Sequence, residues 1–198
     1  MKTRIFALLL ALSLLFCFTA CSESETPAAK FSRGTVSDGV YTNSFAGISF
    51  ALSEEWEIYS DEMIAEMYGD VITSDENGNM LTCYDFMAVR EDGTSVTVTY
   101  SDVGVFYEGG IEEAEYLELA LESLQSEMEN AYGSCVCEMG EAAVSGKTVP
   151  CISSVVEYGG STIFNSLVVK KTGSVMASLS VAALSEDAMA EVFARLDL

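Results

Sequence analysis

The sequence CVCEMGEAAVSGKTVPCISSVVEYGGSTIFNSLVVKKTGSVMASLSVA, residues 135–182, decides the fold of this chain. It holds four segments rich in valine, isoleucine and other strand-forming residues. These segments lie near residues 135–144, 147–158, 162–170 and 174–182. The pairs between them are Ser145-Gly146, Gly159-Gly160 and Thr172-Gly173, and each supplies the glycine that hairpin turns favour. The stretch therefore predicts a meander of four antiparallel strands, in which Pro150 indicates an edge or a bulge.

The residues before this meander predict three more strands. One covers residues 47–52, where Ile48, Phe50 and Leu52 alternate on one side of a half-buried strand. The other two, residues 81–90 and 94–100, flank the hairpin signal Asp92-Gly93. Together with the meander they predict a largely antiparallel sheet.

Three helices are predicted from apolar spacing and from capping residues. The first begins at the N-cap Ser60 and ends at Gly69, the second covers residues 111–131, and the third begins at the N-cap Ser185. The second is expected to bury one face, formed by Ala114, Leu117, Leu121, Leu124, Met128 and Ala131. The element order predicts an α+β fold in which helices cover an antiparallel sheet, and the short turns argue against a doubly wound parallel fold.

The phrase GISFALSEEW, residues 47–56, resembles the opening of PsbP/Mog1-like domains. The resemblance covers roughly residues 40–198 and implies an α/β/α sandwich with a central antiparallel sheet. Members of that family include photosystem accessory proteins, a partner of a small GTPase and bacterial cell-envelope lipoproteins, so the fold does not fix one function. The resemblance carries no catalytic residues, and Gly47, Phe50 and Trp56 are expected to be structural.

The first 21 residues predict export and lipidation. Lys2 and Arg4 precede an apolar run that is too short to span a bilayer, and small residues lead to Cys21. We expect residues 1–20 to be a lipoprotein signal peptide and the Cys21 sulfur to carry lipid. Residues 21–39 are then the lipidated cysteine and a flexible tether, and residues 40–198 a single domain. The chain is expected at the cell membrane, lipid-anchored on its extracytoplasmic face.

Charge limits the partners of this protein. The chain carries 9 basic and 31 acidic residues, a net charge of −22. Loss of Lys2 and Arg4 with the signal peptide would bring the charge to −24. Such a surface repels nucleic acid, so no nucleic-acid partner is expected.

The absence of histidine removes the Ser-His-Asp and Cys-His catalytic arrangements and histidine metal sites. Four cysteines remain after Cys21, namely Cys83, Cys135, Cys137 and Cys151. Disulfides among them and buried free thiols are both open readings, although regular strand geometry disfavours a bond between Cys135 and Cys137. No metal or cofactor is expected.

These features favour a binding or accessory module of the bacterial cell envelope over an enzyme. Its partner would be an unknown envelope protein or a small ligand. One alternative is a carboxylate-dependent hydrolase of cell-wall glycans, because Glu115, Glu118 and Glu122 form a stripe on the long helix. A solute-binding component of a transporter is a second alternative, against which the length argues.

Overall fold

The computed structural model describes residues 31–107, 110–133 and 135–198. Within these residues the strands are β1 (Thr35–Ser37), β2 (Val40–Asn43), β3 (Ile48–Ala51), β4 (Trp56–Ile58), β5 (Ile72–Ser74), β6 (Met80–Arg90), β7 (Ser95–Asp102), β8 (Cys135–Val144), β9 (Lys147–Tyr158), β10 (Ser161–Thr172), β11 (Val175–Ala183) and β12 (Leu196–Asp197). The helices are α1 (Asp61–Tyr68), α2 (Glu113–Tyr132) and α3 (Glu186–Ala194). The predicted meander, hairpin and three helices are confirmed.

Two antiparallel sheets organise the described chain. The large sheet has the order β4-β6-β7-β11-β10-β9-β8, and β5 pairs with β6 beside β4. The small sheet has the order β1-β2-β3-β12. In the meander the chain reverses at Ser145 and Gly146, whose φ angles are 47° and 75°. Positive φ at both central residues is what a two-residue hairpin loop requires.

Side chains alternate between the two faces of the large sheet, and each face has its own core. On β11, Ala177 and Leu179 belong to the small-sheet core, which also contains Phe50 of β3 and Phe193 of α3. The opposite face carries the α2 core, in which Tyr116, Leu117, Ala120, Leu124 and Met128 of the helix pack on β8–β11. The same face carries the smaller α1 core, in which Ile64 packs against Tyr84, Met87 and Val89 of β6.

Helices therefore cover both faces of a central antiparallel sheet, and the predicted α/β/α sandwich is confirmed. Ser60 and Ser185 cap α1 and α3 as predicted, because their hydroxyls accept hydrogen bonds from Met63 N and Ala188 N. The strand predicted at residues 47–52 is confirmed as β3, but it belongs to the small sheet, which was not predicted.

Two local predictions concern Pro150 and the buried face of α2. Pro150 lies in β9, which is an interior strand. At that point, however, β9 is paired with β8 alone, since the pairing with β10 ends at Cys151, so the proline lies where the strand is locally an edge. On α2 the buried face is rotated, so that Tyr116 and Ala120 are buried whereas Ala114 and Ala131 are exposed.

The domain begins earlier than the predicted boundary at residue 40. Residues 31–39 fall in the segment expected to be a tether, yet β1 pairs with β2 and the Phe31 ring lies 5.1 Å from that of Tyr100. The segment is polar and aperiodic, so hydropathy alone gives no sign of this packing. It is held by a few specific contacts, which converge on one buried carboxylate.

Candidate functional site

Asp85 is a charged residue in the middle of β6 with a side chain that is 0% exposed. The pairing of β6 with β7 shifts register between Tyr84 and Phe86, so Asp85 sits at a bulge. Its side-chain oxygens accept hydrogen bonds from Arg33 Nε at 3.1 Å, Gly34 N at 2.8 Å, Tyr41 OH at 2.7 Å and Asn43 Nδ2 at 3.0 Å. Each donor comes from the first thirteen described residues.

Arg33 joins this carboxylate to a second one on the surface. Its two terminal nitrogens contact the Asp61 carboxylate at 2.7 Å and 2.8 Å, a bidentate pair at the first residue of α1. This hydrogen bonding raises the pKa of Arg33 and lowers the pKa of Asp61. Arg33 therefore ties the start of the domain to both β6 and α1.

Two tyrosines and a cysteine surround the carboxylate on the small-sheet side. The hydroxyls of Tyr41 and Tyr100 lie 3.3 Å apart, and burial raises the pKa of both groups. Burial also raises the pKa of the nearby Cys83 thiol to about 12. These groups stay protonated at neutral pH, so Tyr41 donates its proton to Asp85 and the cluster acts as a fixed hydrogen-bond network. It fastens residues 33–43 to the sheet.

Arg90 forms a second polar cross-link at the other end of β6. It is 8% exposed, and it contacts Asp92 at 2.7 Å and Glu191 of α3 at 3.2 Å. Its guanidinium also lies 5.4 Å from the centre of the Trp56 ring, and that ring packs edge-on against Phe50. The predicted structural roles of Phe50 and Trp56 are confirmed by their burial, and Gly47 takes the positive φ of a turn.

The four cysteines of the described residues are free thiols in the structure. Cys83 and Cys151 lie in the small-sheet core, on β6 and β9. Three strands separate β6 from β9 in the sheet, a distance of roughly 19 Å that no disulfide bridges. Cys135 and Cys137 share the opposite face of β8, and their sulfur atoms are 3.3 Å apart. Disulfide formation remains a prediction, and the sheet leaves this one pairing for it among the described cysteines.

Gln125 of α2 holds the backbone of β8 beside these thiols. Its Nε2 donates to Cys135 O at 2.9 Å, and its Oε1 accepts from Cys137 N at 2.8 Å. Since β8 is the last strand of the large sheet, these bonds satisfy backbone groups that a further strand would otherwise pair. The side-chain amide thus caps one end of the sheet edge.

The acidic stripe of the long helix lies at the surface. Glu115, Glu118 and Glu122 are all exposed on the solvent side of α2. Among residues 31–107, 110–133 and 135–198, no group of three or more histidine, cysteine, aspartate or glutamate side chains is placed to hold a metal ion. The hydrolase alternative gains no support from this arrangement.

Arg33 and Asp85 are site residues that were not predicted from the sequence. One signal was present, because Asp85 is the sole charge between Leu81 and Val89 in a segment predicted to be a half-buried strand. A charge at such a position is expected to have a partner. The predicted lipid site Cys21 lies outside the described residues, and no described helix is long and apolar enough to cross a bilayer.

No family model matches the chain, and no curated protein matches it. Among solved structures it is similar to a protein of Bacteroides thetaiotaomicron, with TM-score 0.38, 14% identity and coverage of 80% of this chain and 47% of that one. It is also similar to LpqN of Mycobacterium tuberculosis, which is involved in cell envelope biogenesis, with TM-score 0.39, 14% identity and coverage of 75% and 81%. This chain thus spans about half the length of the Bacteroides protein. At these scores neither likeness bears on activity.

Proposed function

We propose that the protein is a binding or accessory module of a bacterial cell envelope, anchored on the extracytoplasmic side of the membrane by lipid on Cys21. The anchor is supported by the charged, apolar and small-residue order of the first 21 residues. Diacylglycerol together with an acyl chain on one cysteine gives stable membrane attachment, whereas a single chain gives only marginal binding.

The observation that carries the proposal is the fastening of the domain's first residues. Phe31 lies ten residues after Cys21, and Arg33 is bonded to the buried Asp85 and to Asp61. A link from the membrane to this protein would therefore end at a fixed point in the sheet, not at a loose terminus. Such an attachment holds the domain together at its membrane end while leaving its other surfaces available to a partner.

The contacts of the buried Asp85 carboxylate give it a structural role. The Asp85 oxygens are occupied by four donors and the carboxylate is closed to solvent, so no acid–base step falls to it. Glu115, Glu118 and Glu122 of α2 are exposed to solvent. Turnover of a glycan substrate by the purified protein, abolished by a single carboxylate change, would contradict the proposal.

The anchor is tested in a bacterial host that expresses the full chain. The cells are grown with a palmitate analogue, and label on the protein is measured. Label is expected on the protein in the membrane fraction, and Cys21→Ala is expected to lose it because the proposed lipid-bearing sulfur is gone. Cys17→Ala is the matched control and is expected to keep the label. A Cys21→Ala protein that stays labelled would refute the lipid site.

The binding role is tested by thermal-shift screening of the purified protein against small solutes, divalent ions and cell-wall fragments. A ligand present at 100 times its Kd raises the free energy of unfolding by about 2.7 kcal/mol. We expect at least one of these classes, or an envelope protein captured by crosslinking in the native membrane, to bind saturably. If no class and no captured protein does so, the binding role fails even where the anchor holds.

A further inference from the structure

Cys135 and Cys137 differ from the other two described thiols because their sulfur atoms are close together and one of them is accessible to solvent. Their sulfur atoms are 3.3 Å apart on one face of β8, and Cys137 is only partly buried. Cys83 and Cys151 are 0% and 1% exposed on the opposite face of the sheet. A small reagent from solvent therefore reaches Cys137 first and finds Cys135 beside it.

We propose that Cys135 and Cys137 are a reversible dithiol–disulfide site, oxidised by exchange with low-molecular-weight disulfides. The inference is independent of the proposed function, since it rests on β8 and not on the anchor.

The edge position of β8 makes the bridge sterically accessible. Two residues of a regular strand span roughly 6.6–7 Å between Cα atoms, at the upper limit of the Cα separations found in disulfides. A disulfide also needs its two Cβ atoms within roughly 3.5–4.5 Å of each other, so closing the bridge requires β8 to kink between Cys135 and Cys137. Because β8 is an edge strand, it has a neighbouring strand on one side alone. The kink therefore affects the pairing with β9 and the two hydrogen bonds from Gln125, and no strand on the other side.

The exchange takes place in two balanced steps. The Cys137 thiolate attacks one sulfur of a small disulfide RSSR, the bond between its sulfurs breaks, and the first RSH leaves with a proton from solvent. The Cys135 thiolate then attacks the Cys137 sulfur of the mixed disulfide and releases the second RSH. The two protein thiols lose two electrons and two protons, and RSSR is reduced to two RSH.

The groups around Cys135 and Cys137 determine how the rate of their oxidation depends on pH. Burial is the main cause that raises the pKa of Cys137 to about 12 and also raises the pKa of Cys135. Glu129 of α2 adds a negative charge that acts in the same direction, whereas the Ser154 hydroxyl on β9 favours the thiolates. Because the thiolate is the attacking species, the rate of oxidation should rise about tenfold per pH unit between about pH 7 and pH 9.

The experiment exposes the full-length protein to glutathione disulfide, alkylates the remaining thiols in denaturant and digests with trypsin. Cleavage at lysine and arginine gives peptide 91–147 with Cys135 and Cys137 as its two cysteines, whereas Cys83 falls in 34–90 and Cys151 in 148–170. We expect peptide 91–147 to be unalkylated and lighter by two hydrogens, and the other two peptides to be fully alkylated. Dithiothreitol should restore both alkylations.

Two variants test which thiols take part in the exchange. Cys135→Ser is expected to trap a glutathione adduct on Cys137, because the second step has no attacking thiol. The matched control Cys151→Ala is expected to leave the bridge in peptide 91–147 unchanged. A wild-type protein in which both thiols of that peptide stay alkylatable, or carry glutathione without forming the bridge, would overturn the inference. A pH slope near zero would overturn the proposed thiolate attack.

Discussion

The buried Asp85 carboxylate is stabilised by donors that the fold brings from a distant part of the chain. Removing an ion from water costs several kcal/mol, and the cost is offset only where good geometry satisfies its lone pairs. Arg33, Gly34, Tyr41 and Asn43 supply four hydrogen bonds at 3.1 Å or less. The carboxylate is therefore a stabilising group only while residues 33–43 remain in place.

Replacing Asp85 by asparagine is expected to lower the free energy of unfolding by about 3 kcal/mol. The amide nitrogen cannot accept the bonds that one carboxylate oxygen receives, and Arg33 loses its buried counter-charge. Urea unfolding followed by fluorescence of Trp56, the sole tryptophan, measures the change. The control Asp61→Asn removes the other partner of Arg33, whose side chain is 54% exposed, and is expected to cost less than about 1 kcal/mol. Equal losses in the two variants would contradict the role given to Asp85.

The lowered pKa of Asp61 predicts how its contribution to stability varies with pH. The hydrogen bond from Arg33 holds this pKa below its ordinary value of 3.8 in the folded protein. The unfolded chain then binds the proton more tightly, so the contribution is present above about pH 4 and is lost as the pH falls through the native pKa. The difference in stability between wild type and Asp61→Asn should shrink over that range. A difference that stays constant from about pH 6 to pH 2 would show that the ion pair contributes nothing.

The Asp85 cluster was not predicted from the sequence. The charge inside an apolar strand is visible from β6 alone, but its partners lie 42 to 52 residues earlier in the chain. Those partners belong to a polar stretch in which apolar residues do not recur at the spacing of a strand or a helix, so the sequence does not indicate that it packs against the domain. Long-range pairing of this kind depends on the tertiary fold, which a single sequence does not specify residue by residue.

Strands and turns that are determined by residues close together in the sequence were predictable. The turn pairs Ser145-Gly146 and Gly159-Gly160 determine hairpins through local φ preferences, and the bounds of β8 and β9 match the expected ones. β12 has two residues and pairs with β3, nearly 150 residues away, so its sequence holds no strand signal of its own. β12 was missed for that reason, and β1 lies in the segment that was expected to be a tether.

The N-cap of α3 gives a prediction at the scale of one element. Ser185 Oγ accepts a hydrogen bond of 3.2 Å from Ala188 N, and α3 contributes Val192 and Phe193 to the small-sheet core. Ser185→Ala is expected to cost about 1 kcal/mol and to lower Tm by about 3 °C. Differential scanning calorimetry measures the shift. Ser185→Asp keeps an acceptor at the cap and should remain within about 1 °C of wild type, so a similar loss in both variants would exclude the cap as its cause.

At the scale of the molecule, one sheet carries three cores, and two arginines tie the elements around it to β6. Arg33 joins the start of the domain to β6 and α1, and Arg90 joins α3 to the other end of β6. Both cations pair with carboxylates, in a chain that has 31 acidic and 9 basic residues. Most carboxylates therefore have no cationic partner and repel one another across the surface.

This repulsion predicts that salt stabilises the folded protein. The Debye length falls from about 20 Å in 0.02 M salt to about 4 Å in 0.5 M, so the repulsion between exposed carboxylates is screened, whereas the buried Arg33–Asp85 pair is screened far less. The midpoint of urea unfolding at pH 7 should rise between these two sodium chloride concentrations. The same titration at about pH 4 is the control, because protonation of the carboxylates removes most of the repulsion and should shrink the gain. A midpoint that falls with salt at pH 7 would mean that exposed ion pairs outweigh the net charge.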